Sequence, residues 1–317
     1  MDRGTFRDRI AVNRRNSVFL ILCFLALVAV LGYVIGYAWI GDPTGALFGL
    51  GLAFVVGTIS GLITYYGGDR MMLAASRAHQ VTHDEAPVLF NVVEEMALAS
   101  GLPMPKVYII EDSAPNAFAT GRDPEHASVA ATTGLLQKLD RDELQGVMAH
   151  EMAHVGNFDI RYAMLVGILV GTTVLISDFF LRGLWFGGGR GGGRREGGGG
   201  QIQLIMMVVA IVLAILAPLF ARLLQLSISR QREYLADATA VRLTRNPKGL
   251  ADALAKISDD KEVLEAANRA TAHLYIVNPV KSFEKRVKGL FSTHPPVQER
   301  INILRSMETG GIPETVG

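Results

Sequence analysis

Two long stretches of uncharged, apolar residues near the N-terminus constrain this chain more than any other feature. Residues 17–40 and 45–66 contain no Asp, Glu, Lys or Arg, and each exceeds the roughly 20 residues that a helix needs to cross a hydrocarbon core. A helix satisfies its own backbone hydrogen bonds, which is what lipid demands of anything crossing it. The first stretch is too long for the apolar part of a signal peptide and lacks a small-residue cleavage pattern, so it is expected to remain as an anchor. Composition agrees. Half of the 317 residues are hydrophobic, 19% are charged and the mean hydropathy is +0.28, which is oily for a soluble globule.

Arg3, Arg7, Arg9, Arg14 and Arg15 precede the first stretch, whereas the link around Asp42 and Pro43 carries no Lys or Arg. The positive-inside bias therefore predicts a cytoplasmic N-terminus and, after two crossings, a cytoplasmic segment over 67–161. Two further apolar stretches follow: 162–181, interrupted by Asp178, and 204–221, which contains Pro218. Both are long enough to span. Between them the Gly-rich linker 187–200 has Arg190, Arg194, Arg195 and Glu196 as its only other residues; it cannot pack a core, and its arginines leave a full crossing and a re-entrant hairpin both open. Either path returns the chain to its starting side. The expected organisation is an N-terminal arm with two transmembrane helices (1–66), a first cytosolic catalytic part (67–161), two transmembrane or re-entrant helices (162–221) and a second cytosolic catalytic part (222–317).

The net charge is +1, and no nucleic-acid-binding signature accompanies it, so nucleic acid is not an expected partner. The single cysteine, Cys23, lies inside the first apolar stretch, which excludes a disulfide framework or a Cys-based metal site within one chain. Any metal must rest on histidines and carboxylates.

In the soluble part, Thr82 and Glu85 have capping-box spacing for a helix running to Gly101. Residues 106–110, 116–121 and 128–133 read as short strands separated by Pro, Asp and Gly. Asp140 and Glu143 open another helix in the same way. The fold class is α+β. That last helix carries His150, Glu151, Met152, Ala153 and His154, which puts two imidazoles on one helical face within reach of the same ion, with Glu151 placed to take a proton from activated water. A catalytic zinc site wants three protein ligands and an open position, and a carboxylate commonly supplies the third. Glu233 and Asp237 share a helical face downstream. Their spacing lets one ligate while the other receives the free ring N–H of a ligating histidine; beside Arg230 and Arg232 they also suit a solvated, salt-bridged face.

With its motifs taken together, the chain resembles the HtpX-type membrane zinc metallopeptidases, relatives of the CAAX prenyl-protein endopeptidases. The residues that carry the resemblance are Pro115 to Arg122 (PNAFATGR), Thr132 to Leu136 (TTGLL), Ala149 to Asp159 (AHEMAHVGNFD), Ser229 to Ala240 (SRQREYLADATA) and Ser292 to Pro296 (STHPP), set among the four apolar stretches. The resemblance implies a multi-pass protein of the cell (inner) membrane with a mainly helical, zincin-like (gluzincin) catalytic domain and a small sheet. It implies one zinc ion per chain held by His150, His154 and Glu233, Glu151 as catalytic base, Asp237 orienting a ligand, and His294 near the oxyanion. Asn116, Ala117, Phe118 and Ala119 would form the strand edge along which an extended substrate pairs. The implied work is cleavage of misfolded or damaged membrane proteins. Two other readings stay open: a CAAX prenyl-protein endopeptidase, and a zinc-binding membrane scaffold without catalysis.

Overall fold

The structure, a computed structural model, describes residues 6–166, 230–262, 264–265, 275–276 and 295–308, with isolated positions between 182 and 212. The chain divides into two compact units, one of Met1–Arg15, Gly67–Met164 and Leu226–Gly317 and one of Asn16–Tyr66 and Leu165–Gln225.

In the second of these units the two apolar stretches lie on helices α1 (Phe6–Ile40) and α2 (Pro43–Ala75), each long and apolar enough to cross a membrane. They meet through glycines. A Cβ added at Gly32 would stand 2.5 Å from the Gly49 carbonyl oxygen, and one at Gly36 would stand 2.3 Å from that of Gly45. Only residues without a side chain allow backbones so close, the small-residue seam through which membrane helices associate. Phe19, Leu22, Phe48, Phe54, Ile59 and Leu62 are exposed, more large apolar surface than a water-soluble monomer normally presents. The expected helices at 162–181 and 204–221 and the linker 187–200 fall largely outside the described residues.

The first unit is built on a mixed four-stranded sheet of order β1-β2-β4-β3, with β1 (Ala78–Gln80), β2 (Lys106–Ile110), β3 (Ala117–Gly121) and β4 (Ala127–Thr132). β2 and β4 run parallel; β1 pairs antiparallel with β2, and β3 with β4. Strand β1 has no signature of its own, because Ala78, His79 and Gln80 show no apolar alternation and take up extended structure only by pairing with Tyr108–Ile110. Helix α3 (Pro87–Ser100) begins five residues after Thr82. Glu85 does accept hydrogen bonds from the Thr82 backbone N–H (2.7 Å) and hydroxyl (2.8 Å), but the pair closes a turn and caps no helix. Pro87 decides the start: it fits the first helical position and forces Ala86, at φ −142°, out of the α region. Gly101 ends α3 in the left-handed conformation at φ 68°, as its residue type suggested.

A short helix α4 (Thr133–Lys138) leads to α5 (Arg141–Gly156). Here the anticipated capping box is complete: Asp140 Oδ1 accepts the Glu143 N–H at 3.0 Å, and Glu143 Oε2 accepts the Asp140 N–H at 2.8 Å. Leu144, Val147, Met148, Ala149, Met152 and Val155 of α5 are all buried, because the helix packs against α3 and β3 and also against α6 (Arg230–Thr244) and α7 (Pro247–Asp259). A helix enclosed on every side needs no single apolar stripe. Helix α8 (Val297–Glu308) packs on α7.

Candidate metal centre and active site

Helix α5 presents His150 and His154 from successive turns, with ring centroids 4.7 Å apart and planes at 89°. Their Nε2 atoms are 3.1 Å apart, and Glu233 of α6 faces both: its Oε2 is 3.7 Å from His150 Nε2, and its Oε1 is 3.6 Å from His154 Nε2. One ligand atom from each residue falls within a span of 4.8 Å. Two donors about 2.0–2.1 Å from a tetrahedral ion stand about 3.3–3.4 Å from each other, and the three separations bracket that value. This N, N, O set suits a divalent ion of the zinc type.

The other ring nitrogen of each imidazole meets a carboxylate. His150 Nδ1 is 2.9 Å from Asp237 Oδ1, and His154 Nδ1 is 3.1 Å from Asp159 Oδ2. This fixes both rings with Nε2 pointing inward, the arrangement by which outer carboxylates orient metal-binding histidines. Asp159 reaches back because α5 ends sharply at Asn157 and Phe158 takes a left-handed φ of 60°. Arg232 approaches Asp159 in turn, Nε to Oδ1 3.6 Å, with its guanidinium over the Tyr162 ring at 4.4 Å.

Asp237 is held from its far side by Arg300 of α8. Arg300 Nε–H donates to Asp237 Oδ2 at 2.8 Å and Nη2–H to Oδ1 at 2.7 Å, a two-pronged contact that guanidinium geometry favours. Glu233 and Asp237 are only 5% and 2% exposed, so their helix face is turned inward and its ion pairs are buried, not solvated.

Glu151 is buried, and the Ala119 backbone N–H of β3 acts to lower its carboxyl. Burial pushes it up to about 7, with the Glu233 charge adding in the same direction. Burial likewise lowers His150, helped by the charges of Arg300 and His154. For His154 burial works downward, but the hydrogen bond to Asp159 and the charges of Glu233, Asp159 and Glu151 outweigh it and raise the imidazole to about 9. Burial would raise Asp237, yet Arg300 and His150 hold it below the usual carboxylate range. Burial also opposes the charge on Arg300, and its carboxylate neighbours keep it firmly protonated.

The structure thus brings His150, His154, Glu233, Glu151 and Asp237 to one place. Asn116 precedes β3, and Ala117, Phe118 and Ala119 lie on it at the edge of the sheet, all four buried. Part of that edge is already bonded: the Ala117 carbonyl accepts the Ile276 N–H at 3.0 Å, and the Phe118 ring meets Tyr275 edge-on at 5.1 Å. His294 lies outside the described residues. Sequence reasoning gave no role to Asp159 or Arg300. Asp159 had a signal, standing within the His150 motif three residues past the helix end. Arg300 had none, since a lone arginine on a short polar helix reads as surface.

Comparison with known proteins gives the family of this chain. The model of Peptidase family M48 matches residues 83–308, a span containing the histidine pair, Glu233, Asp237 and Arg300. The Protease HtpX homolog of Streptococcus gordonii is 43% identical over 300 residues, covering 95% of this chain and 99% of that one. The Protease HtpX homolog of Listeria monocytogenes serotype 4b is 46% identical over 306 residues, again with 95% and 99% coverage. Among solved structures, S. mikatae Ste24p aligns with a TM-score of 0.44 at 20% identity, covering 93% of this chain and 65% of that chain. The matched span and the near full-length identity place this chain in peptidase family M48, among the HtpX membrane metalloproteases.

Proposed function

We propose that this protein is a zinc-dependent endopeptidase of the cell (inner) membrane that hydrolyses peptide bonds of misfolded or damaged membrane proteins. The observation that carries the chemistry is the convergence of His150, His154 and Glu233 on one centre, with the buried Glu151 beside them on the same helix as His150 and His154. His150, His154 and Glu233 would hold the ion, with Asp237 and Asp159 setting the two imidazoles. When bound there, zinc supplies Lewis-acid chemistry, polarising a scissile carbonyl and making water a nucleophile near neutral pH.

Glu151 takes the proton from the attacking water and returns it to the leaving amine nitrogen. Its burial beside the ligands, which favours the protonated carboxyl, suits a group that takes up a proton and hands it on. The Ala119 backbone N–H acts on the base from strand β3, so a peptide extended along Asn116 to Ala119 lies next to the proton acceptor. Pairing at the Ala117 carbonyl requires exchange with Ile276. His294 is assigned to the developing oxyanion by family resemblance.

The exposed apolar faces of α1 and α2 and the arginines before α1 support a multi-pass protein whose N-terminus and catalytic part face the cytoplasm. A protease anchored in this way meets proteins of the same bilayer, which favours membrane-protein substrates. The test is incubation of the purified protein in detergent with zinc and an unfolded membrane protein, with and without chelator, beside Glu151→Gln. Cleavage that chelator abolishes, and that Glu151→Gln loses while still binding zinc, is expected. Undiminished turnover by that variant removes Glu151 as the base, and zinc binding without any cleavage by the unmodified protein favours a scaffold.

A further inference from the structure

Arg300 is 0% exposed, and a charge so buried persists only when its partners are in place. Every nitrogen of its guanidinium is engaged. Nε and Nη2 grip Asp237 at 2.8 and 2.7 Å, while Nη1 donates to the Ile276 carbonyl at 3.2 Å and lies 3.2 Å from Glu233 Oε2. Nη2 is also 3.4 Å from His150 Nδ1. One side chain from α8 therefore touches the carboxylate assigned as third ligand, the carboxylate that orients His150, and His150 itself.

We propose that Arg300 is a positioning residue for the metal centre, so that docking of α8 and retention of the ion form one coupled equilibrium. The inference rests on His150, His154 and Glu233 being the ligands. Asp237 sits on α6 one turn from Glu233; freed of the guanidinium it can rotate away from His150 Nδ1, releasing the ring whose Nε2 faces the centre. Glu233 Oε2 loses its cationic neighbour in the same event. A lysine could supply the charge but not the planar fork, so geometry as well as charge is at stake. Coupling is reciprocal: if docking of α8 tightens the ion, the ion tightens α8 by the same factor.

The test uses the full chain in detergent. Zinc affinity is measured by competition with a chromophoric chelator for the unmodified protein, Arg300→Met, Arg300→Lys, Asp237→Asn and the double variant Arg300→Met with Asp237→Asn. Hydrogen exchange over residues 297–308 is followed with zinc bound and removed. Arg300→Met is expected to bind zinc about 10–100-fold more weakly, with Arg300→Lys between it and the unmodified protein. Adding Arg300→Met to Asp237→Asn should cost less than the sum of the two single losses, because both changes sever the same link to His150. In the unmodified protein, removing zinc should speed exchange across α8. Should Arg300→Met fail to fold, Arg300→Lys and the exchange measurement still decide. Unchanged zinc affinity in folded Arg300 variants, or exchange over α8 indifferent to zinc, overturns the inference while leaving the ligand assignment intact. Failure of the unmodified protein to bind zinc at all overturns the assignment itself.

Discussion

Gly146 is a point of close approach between the metal-bearing helix and α7, and filling it tests whether that packing holds the centre together. A Cβ at this position would stand 2.7 Å from the Leu250 nitrogen, 2.9 Å from its Cα and 3.1 Å from its Cβ. The first two obstacles are backbone atoms of α7, with no flexible side chain to swing aside. Relaxed contacts of this kind begin at about 3.5 Å, so Gly146→Ala must push α5 and α7 apart by about 0.8 Å. Such overpacking costs about 1–3 kcal/mol, whereas alanine returns about 1 kcal/mol over glycine inside a helix. The net loss is about 1 kcal/mol, a fall in Tm of about 2–4 °C for a domain of this size. Gly249 mirrors the contact, its added Cβ lying 2.7 Å from the Asp142 carbonyl oxygen. One separation of the two helices relieves both clashes, so the double variant should lose less than the sum of the single losses. His150 lies one turn beyond Gly146, so zinc affinity should weaken alongside stability. Calorimetry of the detergent-solubilised protein gives Tm, with Gly67→Ala as control because nothing lies within 4 Å of its added Cβ. A Tm for Gly146→Ala at or above that of the unmodified protein would refute the tight-crossing argument, since helix propensity would then have outweighed the clash.

Asp159→Asn removes the anionic acceptor 3.1 Å from His154 Nδ1 and should weaken zinc binding by about 10-fold; chelator competition showing no change would make Asp159 structural only. The raised His154, at about 9 without metal, carries a proton at pH 7 that must leave when the ion binds. Zinc affinity should therefore rise with pH, up to about tenfold per unit, and flatten above about pH 9; titrations in buffers of different ionisation enthalpy count the released proton, and pH-independent affinity contradicts the assignment. Asp140→Ala breaks the capping box of α5 and should cost about 1 kcal/mol, visible as a lower Tm with kcat of the folded fraction preserved. A cysteine placed at Asp42 in a Cys23→Ser background should react with a membrane-impermeant maleimide from outside intact cells, whereas reaction only after lysis reverses the proposed orientation.

Local signals in the sequence were sufficient for local structure. The box of Asp140 and Glu143 and the four-residue spacing of His150 and His154 concern groups within one or two helical turns, so α5 and its paired imidazoles were legible from residue order. So were the two apolar helices, because an uncharged run long enough to cross lipid is read directly from residue order. The same logic failed where two local rules competed: Thr82 and Glu85 have box spacing, but the ring of Pro87 placed the helix start. It gave no warning of β1, whose extended form comes entirely from pairing with β2.

The acidic side of the centre shows the same division. Sequence alone determined that a metal would rest on imidazoles and carboxylates, that Glu151 stood beside two candidate ligands, and that Glu233 and Asp237 shared a helical face. It left open which carboxylate met the Nε2 atoms and which met Nδ1, and whether either was buried. Only the tertiary structure settled this, by packing α6 against α5 so that Glu233 faces both Nε2 atoms and Asp237 lies behind His150. It also delivered Arg300 from α8 and folded Asp159 back through the left-handed turn at Phe158. The physical reason is that a helical period fixes which residues share a face, whereas what that face meets depends on contacts between segments far apart in the chain.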